Sequence, residues 1–331
     1  MASTDVLVLG GTGFVGQALL RALREDPAAR LSWVARIGSA LPADAGHLPP
    51  PILIDDLEAL DLEAALRADV IVDLVSRGRG RLATRRDILG RIRAHARLVD
   101  ELANRRWRGH YVYLSSGGTI YGVDPPRVCL ETMPVRPFSD YALEKAFVEM
   151  HLASVAGAPG AAGGETGMAL TVLRVANAYG EGQAAKPGFG VIPAIVSALA
   201  TGVPFKLYGD GSSRRDYVHV DDIVTAIQAA IQAAIQAATT GAGAGAGTGA
   251  GAGTLNIGSG VGTSVRELIG LAEAAAGRAV PMEEVAMFAA EPASVVLDAG
   301  RARERLGWRA RIGIAEGMRR VLAHHGLAAS G

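Results

Sequence analysis

The sequence predicts an α/β fold, a doubly wound parallel sheet with a smaller C-terminal lobe. Through the first half, short apolar runs alternate with amphipathic segments, the pattern of parallel strands joined by crossover helices. Each run is almost continuously hydrophobic instead of alternating, which suits a sheet buried on both faces. Beyond residue 178 the elements shorten and turns multiply, which marks the lobe.

Strands are expected at Val6–Leu9, Leu31–Ala35, Pro51–Ile54, Val70–Leu74, Tyr111–Leu114 and Leu170–Arg174. Helices are expected near Phe14–Arg24, Leu57–Leu66, Arg85–Leu102 and Tyr141–Val155. A further helix, Ile223–Ala238, is built on the repeat Ala-Ile-Gln-Ala. That repeat sets Ile227, Ile231 and Ile235 in one stripe at i, i+4 spacing, a face for core packing. The helix runs into Gly241–Gly253, almost pure Gly, Ala and Thr. Such a tract has too little side chain to offset its ordering entropy and reads as a flexible loop.

A chain of 331 residues can bury one large core and a smaller second one. Lys plus Arg equals Asp plus Glu at 33 each, so charge gives no argument for a nucleic-acid partner, and small molecules are the expected ligands. Apolar residues reach 49% with only 5% aromatics, as in a helix-rich α/β protein and unlike an all-β one. Cys129 is the single cysteine, which excludes an intrachain disulfide and fits a reducing compartment. Val6-Leu7-Val8-Leu9 is too short for the core of a signal peptide, and no run reaches the roughly 18 to 20 apolar residues of a membrane span. A soluble, cytoplasmic protein with no membrane partner is expected. No cluster has metal-ligand spacing, so no metal is expected.

Gly10-Gly11-Thr12-Gly13-Phe14-Val15-Gly16 follows the first strand and opens the first helix. The glycines permit a tight turn and close approach of backbone to a pyrophosphate, while the helix N-terminus offers free N–H groups and positive partial charge. Strand, loop and helix in this order predict a Rossmann-type dinucleotide site, with contacts from Gly10, Thr12, Gly13, Phe14, Val15 and Gly16. The second strand ends in Trp33-Val34-Ala35-Arg36, without the acid that usually bonds the ribose of NAD. Arg36 either faces a 2′-phosphate, which favours NADP, or is a solvated loop charge. NAD leads and NADP stays open. Asp55 and Asp56, after the third strand, are placed to accept from the adenine amino group; at least one of them reads equally as a helix cap.

Six motifs in order resemble the nucleotide-sugar epimerase/dehydratase group, UDP-glucose 4-epimerase-like, of the extended short-chain dehydrogenase/reductase superfamily. They are the glycine loop, Ser115-Ser116-Gly117-Gly118-Thr119-Ile120-Tyr121-Gly122, Tyr141-xxx-Lys145, Arg174 to Gly180 with Asn177, Gly190-Val191-Ile192-Pro193, and Gly209 to Asp222; Leu297 to Trp308 extends the likeness toward the C-terminus. The resemblance implies a nucleotide-sugar 4-epimerase that oxidises its UDP-hexose transiently at C4: Tyr141 takes the hydroxyl proton, NAD takes hydride, and hydride returns to the other face. A free Tyr titrates near 10, and a Lys four residues on lies on the same helix face, where its ammonium favours the phenolate. Tyr141 is thus the expected base and Lys145 its activator. The resemblance adds cofactor contacts at Leu74, Val75, Ser115, Tyr141 and Lys145. It also implies pairing of the helices Arg85–Leu102 and Tyr141–Val155 into a homodimer.

The sequence departs from the family pattern at informative places. Where the family carries a Ser or Thr that bonds both the sugar hydroxyl and the Tyr, this chain has Gly117; Ser116 and Thr119 are the hydroxyls left to serve. Thr119 also stands where related dehydratases carry an acid, which weakens a dehydratase reading more than an epimerase one. Asp73 replaces a common His, Arg91-Ile92-Arg93 replaces an Asn-containing motif in a basic helix that reads as a solvated face, and Phe288 stands about where an Arg often holds the diphosphate. An NADP-dependent reductase or dehydratase and a catalytically silent nucleotide-binding homologue therefore remain as alternatives.

On the substrate side the resemblance points to Thr119, Asn177, Val191 and Arg215. Arg215 is the expected diphosphate clamp, because a guanidinium gives bidentate charge-assisted bonds to phosphate. Arg214 shares that role or pairs with Asp210. Asp221 and Asp222 read as charging and capping the Ile223 helix, His219 as a strand residue, and His324-His325 as exposed. Residues 1–178, with 216–257 returning, form the expected dinucleotide-binding domain, and 179–215 with 258–331 the nucleotide-sugar-binding lobe.

Overall fold

The computed structural model describes residues 3–76, 85–123, 128–156, 167–185, 190–239, 253–286 and 293–329. Phe288 and all of the glycine-alanine tract except Gly253 lie outside the described residues. The chain runs β1 (Thr4–Leu9), α1 (Phe14–Arg24), β2 (Ala29–Arg36), β3 (Ile52–Ile54), α2 (Leu62–Leu66), β4 (Val70–Asp73), α3 (Arg85–Asn104), β5 (His110–Ser116), α4 (Gly117–Ile120), α5 (Asp140–Ala156) and β6 (Ala169–Val175). It continues with β7 (Asn177–Tyr179), α6 (Val191–Thr201), β8 (Phe205–Tyr208), β9 (Arg214–His219), α7 (Val220–Thr239), β10 (Gly253–Ile257), β11 (Gly262–Ser264), α8 (Val265–Ala276), β12 (Met282–Val285), β13 (Ser294–Val295), α9 (Gly300–Leu306) and α10 (Ile314–His324).

Among the described residues, seven strands form one parallel sheet in the order β10-β6-β5-β4-β1-β2-β3. Successive strand residues point to opposite faces. Val6, Val8, Val70, Val72 and Val112 therefore meet α1 and α7 on one face, while Leu7, Leu9, Ile71, Tyr111 and Tyr113 meet α3 and α5 on the other. The isoleucine stripe of α7 is core packing: Ile227 and Ile231 are buried on the first face, and Ile235 packs against it. A separate cluster, from Tyr179 and α6 through α8 to Met318 and Leu322 of α10, fills the lobe. There β9 pairs with β7, β11 and β13.

The single helix expected over Leu57–Leu66 is instead a 3₁₀ turn at Leu57–Ala59 followed by α2. Asp56 opens the segment and Asp61 divides it. Asp56 accepts from Glu58 N at 2.9 Å and Asp61 from Glu63 N at 3.1 Å, so each opens its own helical turn in place of continuing the one before.

Candidate active site

β1 ends at Leu9 and the chain turns at Gly10 with φ of 83°, a conformation that side chains disfavour. A Cβ on Gly10 would lie 3.0 Å from the carbonyl carbon of Leu74 and 3.1 Å from Val75 N, so this loop leans on the chain leaving β4. A Cβ on Gly16 would overlap the Gly10 carbonyl, which lets α1 press against the turn. Gly13 caps α1 with no side-chain bond, and the first helical turn holds no acid. The leading N–H groups of α1 are thus left for an outside acceptor, at the C-terminal edge of β1 and β4 where the strand order reverses. This cradle of backbone fits a pyrophosphate.

Arg36 closes β2, exposed, and Asp55 is exposed after β3. Asp56 is occupied as the cap of its 3₁₀ turn. Ser115 Oγ is buried with no hydrogen-bond partner among the described residues.

α5 packs over β5 and β6. Lys145 is 2% exposed, and its Nζ donates to Leu114 O at 2.8 Å and to Val75 O at 3.4 Å. The same ammonium stands 4.6 Å above the centre of the Tyr113 ring. Tyr141, half-buried one turn earlier, is close enough that its negative form bears on the Tyr113 phenol. Burial first, then Asp73 and Tyr141, hold that phenol well above the ordinary tyrosine range. Lys145 therefore touches the carbonyl of Val75, the residue whose N–H closes on Gly10.

Ser116 ends β5 and Thr119 sits within α4; Thr119 Oγ1 donates to Ser116 Oγ at 3.1 Å. The two hydroxyls thus lie together beside Gly117. A Cβ on Gly118 would be 3.4 Å from Asn177 Oδ1, which places the Asn177 amide against α4, and Asn177 Nδ2 donates to Asp216 O at 2.9 Å. Val191 begins α6 directly after Gly190, whose φ is 81°. Arg215 lies on β9 with Nη1 bonded to Arg214 O at 3.0 Å.

Several expected partnerships are different. Arg214 pairs with Glu267 of α8 at 2.6 Å, because β11 brings the start of α8 alongside β9; Asp210 instead accepts from Ser212. Asp222 does add charge to the first turn of α7, but its carboxylate accepts from Arg311 N and Ile312 N and so anchors the approach to α10. The basic face of α3 is not simply solvated: Arg91 pairs with Glu144 of α5 at 2.7 Å, with Glu144 1% exposed, and Arg93 pairs with Glu58. His219 is a buried strand residue with Nε2 2.9 Å from Glu181. Cys129 is buried, and burial pushes its thiol up to about 11, which removes it as a nucleophile at neutral pH.

Three buried polar groupings escaped the sequence reading. Asp73 accepts from Tyr111 Oη at 2.8 Å with His95 beside it. Arg174 binds Glu149 at 2.7 Å and Tyr121 Oη at 3.1 Å, and Tyr121 donates to Asn256. Asp216 gathers Ser259 N, Gly260 N and Leu297 N. The one available signal was a charged residue inside an apolar run, at Asp73 and Arg174.

Residues 6–241 match the NAD dependent epimerase/dehydratase family. The chain belongs to this family. Among its relatives, a UDP-glucose 4-epimerase of Mycolicibacterium smegmatis is 32% identical over 211 residues, which cover 64% of this chain and 60% of that one. The chain thus spans less than two thirds of that relative's length. A dTDP-4-dehydro-6-deoxyglucose reductase of Escherichia coli is 25% identical over 96% of both chains. Among solved structures, MoeE5 in complex with UDP-glucose and NAD superposes with a TM-score of 0.77 at 25% identity, covering 97% of this chain and 98% of its own. UDP-glucuronic acid 4-epimerase from Bacillus cereus, at 20% identity and TM-score 0.77, shares the fold over 97% of this chain and 98% of its own. The family is one of NAD-dependent epimerases and dehydratases, and no helix among the described residues is long and apolar enough to cross a membrane.

Proposed function

We propose that this enzyme is a 4-epimerase of a UDP-hexose or a related sugar nucleotide, with NAD held in the cradle formed by Gly10, Thr12, Gly13, Phe14, Val15 and Gly16. NAD, when bound, supplies reversible acceptance of hydride at the sugar carbon. The chain's own residues handle the proton. Tyr141 Oη takes it from the C4 hydroxyl and returns it, and Lys145 favours the phenolate by its charge. Ser116 and Thr119 supply the hydroxyls that orient the sugar in place of a side chain at 117. Asn177 and Arg215 hold the nucleotide diphosphate, and Val191, at the start of α6, lies against the nucleotide base. In this reading residues 1–178 with 216–257 carry the cofactor, and 179–215 with 258–331 carry the sugar nucleotide.

The observation that carries the reading is the ammonium of Lys145. It is bonded to the carbonyls of Leu114 in β5 and of Val75 just past β4, beside the glycine turn, one helical turn from Tyr141. Proton handling and cofactor cradle thus meet at one residue, Val75, through its carbonyl and its N–H respectively. Incubation of the purified protein with UDP-glucose, UDP-N-acetylglucosamine and UDP-glucuronic acid, followed by NMR, is expected to yield a C4 epimer from one of them, and Tyr141→Phe to lower its rate by about 10²- to 10⁴-fold. Unchanged turnover in Tyr141→Phe would remove the assignment.

A second reading, a reductase using exchangeable NADP, is favoured by Arg36 at the end of β2 and by the full-length likeness to the E. coli reductase. The nucleotide recovered from denatured protein separates the two: NAD retained one per chain supports the epimerase, and a site filled only by added NADPH supports the reductase.

We also propose a homodimer in the cytoplasm, the compartment that suits a single buried thiol. Leu143, Phe147 and Met150 of α5, spaced i, i+4, i+7, are 50, 44 and 71% exposed, and Leu89 of the adjoining α3 is 63% exposed. An apolar stripe on two packed helices is a surface suited to a second copy of itself.

A further inference from the structure

Behind Lys145 lies a buried polar unit that the proposed reaction leaves unused. Asp73, at the end of β4, is fully buried. Its Oδ2 accepts from Tyr111 Oη at 2.8 Å, its Oδ1 accepts from Val75 N at 2.9 Å, and His95 Nε2 of α3 lies 3.2 Å from Oδ2 in an oblique approach. His95 Nδ1 stands 2.9 Å from the Arg91 carbonyl. A carbonyl only accepts, so Nδ1 carries a proton. Nε2 has no other partner among the described residues. An ionised carboxylate also only accepts, so a bare Nε2 would set two electron-rich atoms together in a dry interior; one proton belongs between them.

We propose that Asp73 and His95 are positioning residues, a carboxylate–imidazolium pair whose neutrality leaves the charge of Lys145 undivided for Tyr141. This rests on the reading of Tyr141 as the base. Alone, Asp73 would be an uncompensated carboxylate in low dielectric beside Lys145, drawing the ammonium inward and opposing a second negative charge on the phenol. The imidazolium cancels it. The carboxylate can then perform its geometric task, fixing the N–H of Val75 beside Gly10, the same residue whose carbonyl receives Lys145. Burial works against the charge on both partners. Their mutual attraction outweighs it, holding Asp73 below the usual carboxylate range and His95 above the usual imidazole range. The other ionisable groups facing this unit are Tyr111 and Tyr113 of β5 and Lys145 of α5. The nearby carboxylates Glu144 and Glu149 are neutralised by Arg91 and Arg174.

The test follows the Tyr141 phenol by ¹³C NMR of Cζ-labelled protein, assigned by its loss in Tyr141→Phe. His95→Gln keeps a donor for Asp73 but removes the positive charge, and is expected to move the Tyr141 titration upward by about one pH unit. Adding Asp73→Asn removes the stranded negative charge and is expected to restore the native midpoint, which lost packing alone would not do. A native midpoint in His95→Gln, or no recovery in the double variant, overturns the proposal. Should the variants fail to fold, ¹⁵N NMR of native His95 decides: both ring nitrogens protonated at pH 7 supports the pair, and an unprotonated Nε2 overturns it. None of these readouts needs turnover, so an inactive enzyme with the expected titrations removes only the reaction assigned to Tyr141.

Discussion

A δ-methyl of Leu297 fills the volume that a Cβ on Gly117 would occupy, and the Arg174 carbonyl closes the same space at 3.0 Å. A side chain at 117 would therefore have to displace Leu297 and press on the Arg174 carbonyl. Gly117→Ser alone is expected to cost about 1 to 3 kcal/mol by overpacking, seen as a lower midpoint in urea unfolding. Combining it with Leu297→Ala relieves the overlap, so the double variant should be more stable than the sum of the two single effects.

The Arg91–Glu144 pair joins α3 to α5 with the carboxylate almost wholly buried. Arg91→Met strands that charge and is expected to destabilise the fold by about 3 to 5 kcal/mol. Arg91→Met with Glu144→Leu leaves no buried charge, and most of the loss should be recovered. A double-mutant cycle by urea unfolding measures the coupling.

His110, buried at the start of β5 with Nε2 2.7 Å from Thr171 Oγ1, is lowered by burial to about 4. In the unfolded chain it titrates near 6.5. Between these values the unfolded state binds the extra proton, so the contribution of His110 is complete above pH 6.5 and falls away as pH drops toward 4. The difference amounts to about 3 kcal/mol. His110→Gln should flatten this part of the stability profile, and the comparison with native protein isolates it from the carboxylates that titrate in the same range.

The stripe Leu143, Phe147 and Met150 gives the dimer its own test. Leu143→Glu with Met150→Glu is expected to convert a dimer in sedimentation velocity into a folded monomer. A native protein that sediments as a monomer at micromolar concentration would remove the proposed association.

What the sequence disclosed followed the range of the interactions. The glycine loop and the Tyr141–Lys145 pair are local patterns, in which one turn of backbone brings the functional groups together, and both were visible before any coordinates. The alternation of apolar runs and amphipathic helices is enough to place the parallel strands, but not to give their order in the sheet. Asp73 and His95 are 22 positions apart and meet only because α3 packs over β4. No periodicity encodes that meeting. Arg91 illustrates the same limit: in a run of basic residues it reads as surface, and only the approach of α5 supplies the carboxylate that buries it. Asp56 is legible as a cap, but Asp61, which divides Leu57–Leu66, is not, because hydrophobic spacing across it suggests a single helix.

Asp216 collects donors from Ser259, Gly260 and Leu297, while its own carbonyl receives the Asn177 amide. One β9 residue thus holds together pieces of chain made at very different times during synthesis. A growing polypeptide that has just passed residue 178 already contains the glycine turn, Tyr141 and Lys145, but the fastening around Asp216 waits until position 297 has left the ribosome. The packing around Asp216 therefore closes only after the strands and α5 have been made, and a product arrested before Ser259 would hold the glycine turn, Tyr141 and Lys145 without that fastening.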